Sequence, residues 1–132
     1  MMYLPDTNVW IAYVNPVASA VKARFRAHPP TDIAFCSVVK AELLYGAYRS
    51  SRRADNLRVL AMLFQQFESL PFDDAAADHY GRVRADMAAQ GTPIGPNDLM
   101  IAAIALANNL ILVSHNTREF ARVAGLSLED WT

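Results

Sequence analysis

The chain has 132 residues, 53% hydrophobic, with a formal net charge of −1 and one cysteine. That length and a mean hydropathy of +0.10 fit one globular domain with a full core and argue against disorder. No run nears the roughly 18 consecutive apolar residues of a membrane span, no basic leader opens the chain, and scattered His28, His79 and His115 beside a lone Cys36 exclude a zinc site.

Taken in order, Tyr3-Leu4 reads as the end of a buried strand, stopped by the cap-type residues Thr7 and Asn8. Val9, Trp10, Tyr13 and Val14 have helical spacing, and Asn15-Pro16 breaks that helix. A second helix is expected over Val17 to Ala27, with Val21 and Phe25 inward and Lys22, Arg24 and Arg26 in water. Pro29 to Asp32 is a loop and Ile33 to Cys36 a second strand, whose thiol reads as buried in a reducing compartment. Ser37 resembles an N-cap for a helix over Val38 to Tyr48.

Arg49 to Arg53 forms a basic hinge before a helix at Asp55 to Phe67, striped by Leu57, Leu60, Leu63, Phe64 and Phe67. Ser69 to Phe72 is a short edge strand, because Pro71 interrupts it. Asp73-Asp74 starts a helix over Ala75 to Gln90. The loop Gly91 to Pro96 delivers Asn97-Asp98 to a helix, Leu99 to Ala107, that is apolar on every side and therefore buried. Leu110 to Val113 is a third core strand, Arg118 to Val123 a short helix and Leu126 to Leu128 a last strand. Strands alternating with helices predict a three-layer α/β/α sandwich around a mostly parallel central sheet.

Three acids fall in unusual places. Asp6 ends a strand, where open α/β sheets place their ligands. Glu42 shares a helical stripe with Val38 and Tyr45, and a lone carboxylate there is costly unless paired or bound to a cation. Asp98 lies in the first turn of a helix opened by Pro96. Each also has a plain structural reading. Asp6 can cap the helix at Val9, Glu42 can pair with Lys40 or Arg49, and Asp98 can complement the helix dipole. Together they suggest an all-oxygen site for Mg²⁺ or Mn²⁺, suited to orienting water and neutralising a phosphodiester. Setting these three acids aside leaves ten against twelve Lys and Arg, a balance of +2 that permits an RNA partner. Arg49, Arg52, Arg53 and Arg58, with Arg82 and Arg84, are candidates to grip its phosphates, or else a solvated helix face. His115 is a candidate general base or a structural histidine. Trp10, Tyr13, Tyr45 and Tyr48 are core, stacking platforms or part of a protein groove.

Asp6-Thr7-Asn8, Lys40 to Gly46, and Pro93 to Ala103 resemble the signature blocks of PIN domains, and specifically of VapC-type toxins from toxin–antitoxin pairs. The ending, His115 to Phe120 and Gly125 to Trp131, is similar to the same subgroup, so the resemblance covers one PIN-like domain over residues 1–132. It implies a Mg²⁺- or Mn²⁺-dependent endoribonuclease with Asp6, Glu42 and Asp98 as metal-holding acids. Asn116 would join them at the catalytic site, and Thr7, Asn8 and Thr117 would support them. It also implies a cytoplasmic bacterial or archaeal homodimer, silenced by a small cognate antitoxin and able to assemble with it on operator DNA. Toxins with this tail are associated with initiator tRNA cut in the anticodon stem-loop, so tRNA is the expected RNA. Two departures stand out. Asn116 occupies the place where many PIN domains carry a fourth acid, and Pro5 precedes Asp6 inside a central strand. The competing expectations are a non-catalytic RNA- or protein-binding module of the same fold and a DNA-directed nuclease.

Overall fold

The computed structural model describes residues 1–132. The elements run β1 (Tyr3–Pro5), α1 (Thr7–Val14), α2 (Ala20–Arg26), β2 (Ala34–Cys36), α3 (Ser37–Arg49), α4 (Arg53–Phe64), β3 (Glu68–Leu70), α5 (Asp74–Ala89), α6 (Pro96–Ala107), β4 (Ile111–Val113), α7 (Thr117–Phe120) and β5 (Ser127–Glu129). Every strand pairing is parallel. One ribbon has the order β1-β4-β5, a second pairs β2 with β3, and a single Tyr3–Ile33 bridge joins them. The resulting order, β3-β2-β1-β4-β5, leaves β1 in the centre and β3 at an edge, with Glu68 and Ser69 exposed. Parallel connections are right-handed, which sends α1 to α4 over one face and α5 to α7 over the other. Accordingly α3 packs on α1 and α4, and α5 packs along α6.

Burial explains why short strands suffice. Leu4, Phe35, Leu112 and Val113 are fully enclosed, and Ile101, Ala102, Ile104 and Ala105 make α6 a central buried helix as its composition predicts. Trp10 stacks on Phe35 at 3.7 Å between ring centroids and meets Phe25 and Phe67 edge-on. Cys36 is enclosed too, and burial pushes its thiol up to about 11, which keeps it inert.

Some boundaries differ from expectation. α2 begins at Ala20 because Ser19 Oγ accepts the Lys22 N–H, leaving Val17 69% exposed outside the helix. Ser37 is the first helical residue and not a cap; its Oγ instead accepts the Phe72 N–H. α4 stops at Phe64, although Phe67 still packs on the core. β3 ends at Leu70, before Pro71 would remove a ladder donor.

Pro5 also has a physical account. Asp6 N–H donates to the Val113 carbonyl and Ile111 N–H to the Met2 carbonyl, so the Asp6 N–H and the Met2 carbonyl face β4. Backbone groups alternate sides along a strand, so the donor missing at Pro5 falls on the β2 side. There the two ribbons share only the Tyr3–Ile33 bridge.

Candidate active site

The chain leaves β1 toward β2 on one side and returns to its other side as β4, which makes the β1/β4 border the topological switch point. Ligands in open parallel sheets bind at the carboxyl ends of the strands there. Asp6 follows β1 and Ser114 follows β4, and the two meet: Ser114 Oγ donates to Asp6 Oδ2 at 2.5 Å. Asp6 Oδ1 accepts the Val9 N–H at 3.1 Å, so Asp6 does cap α1 while its other oxygen faces the switch point.

Glu42 comes from α3, on the neighbouring crossover. Its Oε1 accepts the Thr7 hydroxyl at 2.5 Å and its Oε2 the Asn97 amide at 3.4 Å. Neither Lys40 nor Arg49 pairs with it. Lys40 Nζ lies 4.8 Å from the Phe64 ring centroid, and Arg49 lies over Tyr45. Asp98 sits in the first turn of α6 behind Pro96, as expected from the helix start.

The electrostatics tie these acids together. Burial pushes the Asp6 carboxyl above the usual carboxylate range, and Glu42 adds to this. Hydrogen bonds from Ser114 and from the Val9 and Asn8 backbones pull it back. Asp98 is pushed up by burial and then by the charges of Asp6, Glu42 and Glu119. None of the four acids joins the five ion pairs of the chain, which all lie elsewhere. No protein cation therefore pairs with any of them.

Glu119 was not anticipated. It projects from α7, and Asn116 Nδ2 donates to its Oε2 at 3.0 Å while the Asn116 N–H donates to Ser114 Oγ at 2.9 Å. Asn116 thus positions a fourth acid three residues on. The spacing Asn116-Thr117-Arg118-Glu119 carried the signal, because i and i+3 share a helix face. Thr117 contributes its backbone N–H, to the His115 carbonyl. His115 turns away from the acids. Its Nδ1 lies 3.2 Å from Asp130 Oδ2 and 3.0 Å from Thr132 Oγ1, pinning the C-terminal tail. Thr132 donates its hydroxyl and its N–H to Asp130 Oδ1, and these bonds, with His115 secondary, hold the Asp130 carboxyl below the usual range.

No three acid, His or Cys side chains are closed around one point in ion-ligating geometry. The donors nonetheless fit a small hard cation: all are oxygens, and Mg²⁺ takes one or two carboxylates while keeping several waters. An open groove of about 440 Å³, lined by Thr7, Ala41, Glu42, Tyr45 and Asn97, leaves room for such a hydrated ion beside Glu42.

The arginines differ in availability. Arg52 and Arg58 share Asp55, and Arg82 pairs with Asp78. Arg53 Nε donates to the Tyr48 carbonyl, Arg49 lies on Tyr45 and Arg84 on Tyr80, each without a carboxylate partner.

Comparison with known proteins agrees with this architecture. A PIN domain profile matches residues 3–126. The chain is 40% identical over 132 residues to the tRNA(fMet)-specific endonuclease VapC of Shigella flexneri, covering 100% of this chain and 99% of that protein. It is 35% identical to ribonuclease VapC2 of Rickettsia felis over 99% of this chain and 98% of that one. The crystal structure of DNA-bound VapBC from Salmonella typhimurium superposes with a TM-score of 0.93 at 36% identity, over 100% of this chain and 99% of that one. A strand-end aspartate at the switch point of a parallel sheet, three further acids around it and these relatives over the full length place the chain in the PIN-domain family, among the VapC proteins.

Proposed function

We propose that this protein is a metal-dependent endoribonuclease toxin that hydrolyses phosphodiester bonds in tRNA, with the initiator tRNA anticodon stem-loop as its leading target. The observation that carries this reading is the gathering of Asp6, Glu42, Asp98 and Glu119 from four separate elements with no protein cation among them. Relatives named tRNA(fMet)-specific endonuclease and ribonuclease support the substrate.

Asp6 and Asp98 would hold Mg²⁺ or Mn²⁺, with Glu42 completing the set or orienting water. When bound, the ion supplies charge neutralisation and a more acidic water. The chain's own residues do the positioning. Ser114 and the Val9 and Asn8 N–H groups fix the Asp6 carboxylate, Thr7 and Asn97 fix Glu42, and Asn116 fixes Glu119. Arg49, Arg53 and Arg84 would meet the RNA backbone. Arg52 and Arg82 would contribute less, since Asp55 and Asp78 already offset them.

A groove between α1, α3 and α4 exposes Ile11, Val14 and Val59 and includes Glu42 in its lining. It suits the apolar segment of a small cognate antitoxin that would cover the site. The relatives solved as VapBC complexes, some on DNA, support that partnership and assembly on operator DNA; a homodimeric toxin is part of the same proposal. One continuous core supports reading residues 1–132 as a single domain, and no helix is long and apolar enough to cross a membrane. A tRNA substrate would place the protein in the bacterial cytoplasm.

The test is incubation of purified protein with a total tRNA pool, with Mg²⁺, with Mn²⁺ and with chelator. Discrete fragments that require metal are expected, and their sequence names the RNA. Intact tRNA under all conditions, with a DNA duplex cut instead, would overturn the assignment.

A further inference from the structure

We propose that Tyr45 and Arg49 form a stacking subsite for an unpaired base next to the scissile phosphate, an inference that rests on the ribonuclease reading above. Tyr45 lies one helical turn after Glu42 on α3, where i and i+3 side chains are neighbours. It lines the same groove as Thr7, Glu42 and Asn97, and it is 63% exposed, an unusual state for a large ring beside one of the site's acids. Its orientation is held. The Arg49 guanidinium carbon lies 5.3 Å from the ring centroid, and Arg49 Nη1 donates to Tyr45 Oη at 3.4 Å. A ring fixed before binding loses little freedom when a base covers it.

Arg49 has five N–H donors and spends one on Tyr45. The others remain for a phosphate, on the rim of a groove whose one acid, Glu42, would otherwise repel the backbone. The same Tyr–Arg pairing occurs on α5, where Arg84 Nη1 donates to Tyr80 Oη at 2.8 Å. There, however, Tyr80 is half-buried against Phe72 and lies in a different groove, with no acid of the site lining it. Exposure and proximity to Glu42 distinguish Tyr45; the pairing alone does not.

Bases inside a duplex already stack on each other, so this ring is accessible only to a base in a loop or single strand. Every base has a π-face, so the subsite selects unpaired structure and leaves base identity to other contacts.

The experiment measures kcat and KM on a short RNA hairpin for wild type, Tyr45→Ala, Tyr45→Phe and Arg49→Ala. In parallel, the same hairpin carrying 2-aminopurine in its loop is bound to Asp6→Asn, with and without Tyr45→Ala. Loss of one base–aromatic stack corresponds to a KM increase of about 5- to 150-fold in Tyr45→Ala, with kcat changed far less. Tyr45→Phe restores KM, and the quenching of 2-aminopurine seen with Asp6→Asn disappears in the double variant. Unchanged KM in Tyr45→Ala, a Tyr45→Phe defect equal to that of alanine, or quenching that survives loss of the ring would each overturn the subsite. The fluorescence arm needs no turnover, so it decides the subsite separately from whether the wild type cuts RNA.

Discussion

Ser114→Ala is the substitution that most sharply separates the roles assigned around Asp6. Ser114 is fully buried, donates to the Asp6 carboxylate at 2.5 Å and accepts the Asn116 N–H. Alanine removes one hydrogen bond to a charged group, worth about 1.5–3 kcal/mol, and leaves the Asn116 donor without this acceptor. The expected loss is about 2–3 kcal/mol at neutral pH, out of roughly 5–15 kcal/mol for a domain. It would read as a urea midpoint lower by about 1 M at unchanged m-value, or a Tm lower by about 6–12 °C.

The pH dependence follows from the same bond. Ser114 favours the ionised form of Asp6 and so lowers its carboxyl; without it the carboxyl climbs further above the usual range. The acid limb of the cleavage profile should therefore move to higher pH in the variant. The stability gap between wild type and variant should be full where Asp6 is ionised and shrink as pH falls and Asp6 takes its proton. Matched unfolding curves at every pH, together with a superimposable acid limb, would refute the reasoning.

Asp98→Asn should abolish cleavage yet raise the Tm of metal-free protein, because it removes one of several unpaired negative charges. The folded Asp98 holds its proton more tightly than the unfolded chain does, so ionisation costs the fold stability as pH rises above about 3.8. The Tm advantage of the variant should grow from pH 4 to pH 7 and shrink on adding Mg²⁺, which thermal melts would show. Asn116→Ala frees Glu119 and should lower metal affinity or activity about 10- to 100-fold with little change in Tm; an unaltered rate would mean that Glu119 works unaided. Trp10→Ala opens a cavity among Phe25, Phe35 and Phe67 and should cost about 3–5 kcal/mol by urea unfolding.

Most of the architecture was legible because its signals are local. Asp6, Glu42 and Asp98 each sit at an element boundary or on an apolar stripe, and the wholly apolar run from Leu99 to Ala107 could only be a buried helix. The details that escaped are those that local pattern does not encode. Ser114 lies in a turn-like Ser-His-Asn-Thr string, and its burial against Asp6, 108 residues away, depends on the parallel register of β1 with β4. Glu119 belongs to a helix of four residues, too short to show a period. His115 looked chemically able, but its partners Asp130 and Thr132 come from the tail across β5. By contrast, the pairing of Arg82 with Asp78 was readable from i, i+4 spacing, and it removes that arginine from the front rank of RNA contacts.

The claim on which everything else depends is that these acids exist to hold a divalent cation. Titration of the metal-free protein with Mn²⁺, followed by the paramagnetic resonance signal of the free ion, counts bound ions directly. Asp6→Asn serves as the comparison, since asparagine keeps the helix cap. Saturable uptake by the wild type that is lost in Asp6→Asn, with both proteins folded by circular dichroism, is the expected result. Equal uptake by the two proteins, or none by the wild type, would contradict a cation site at Asp6.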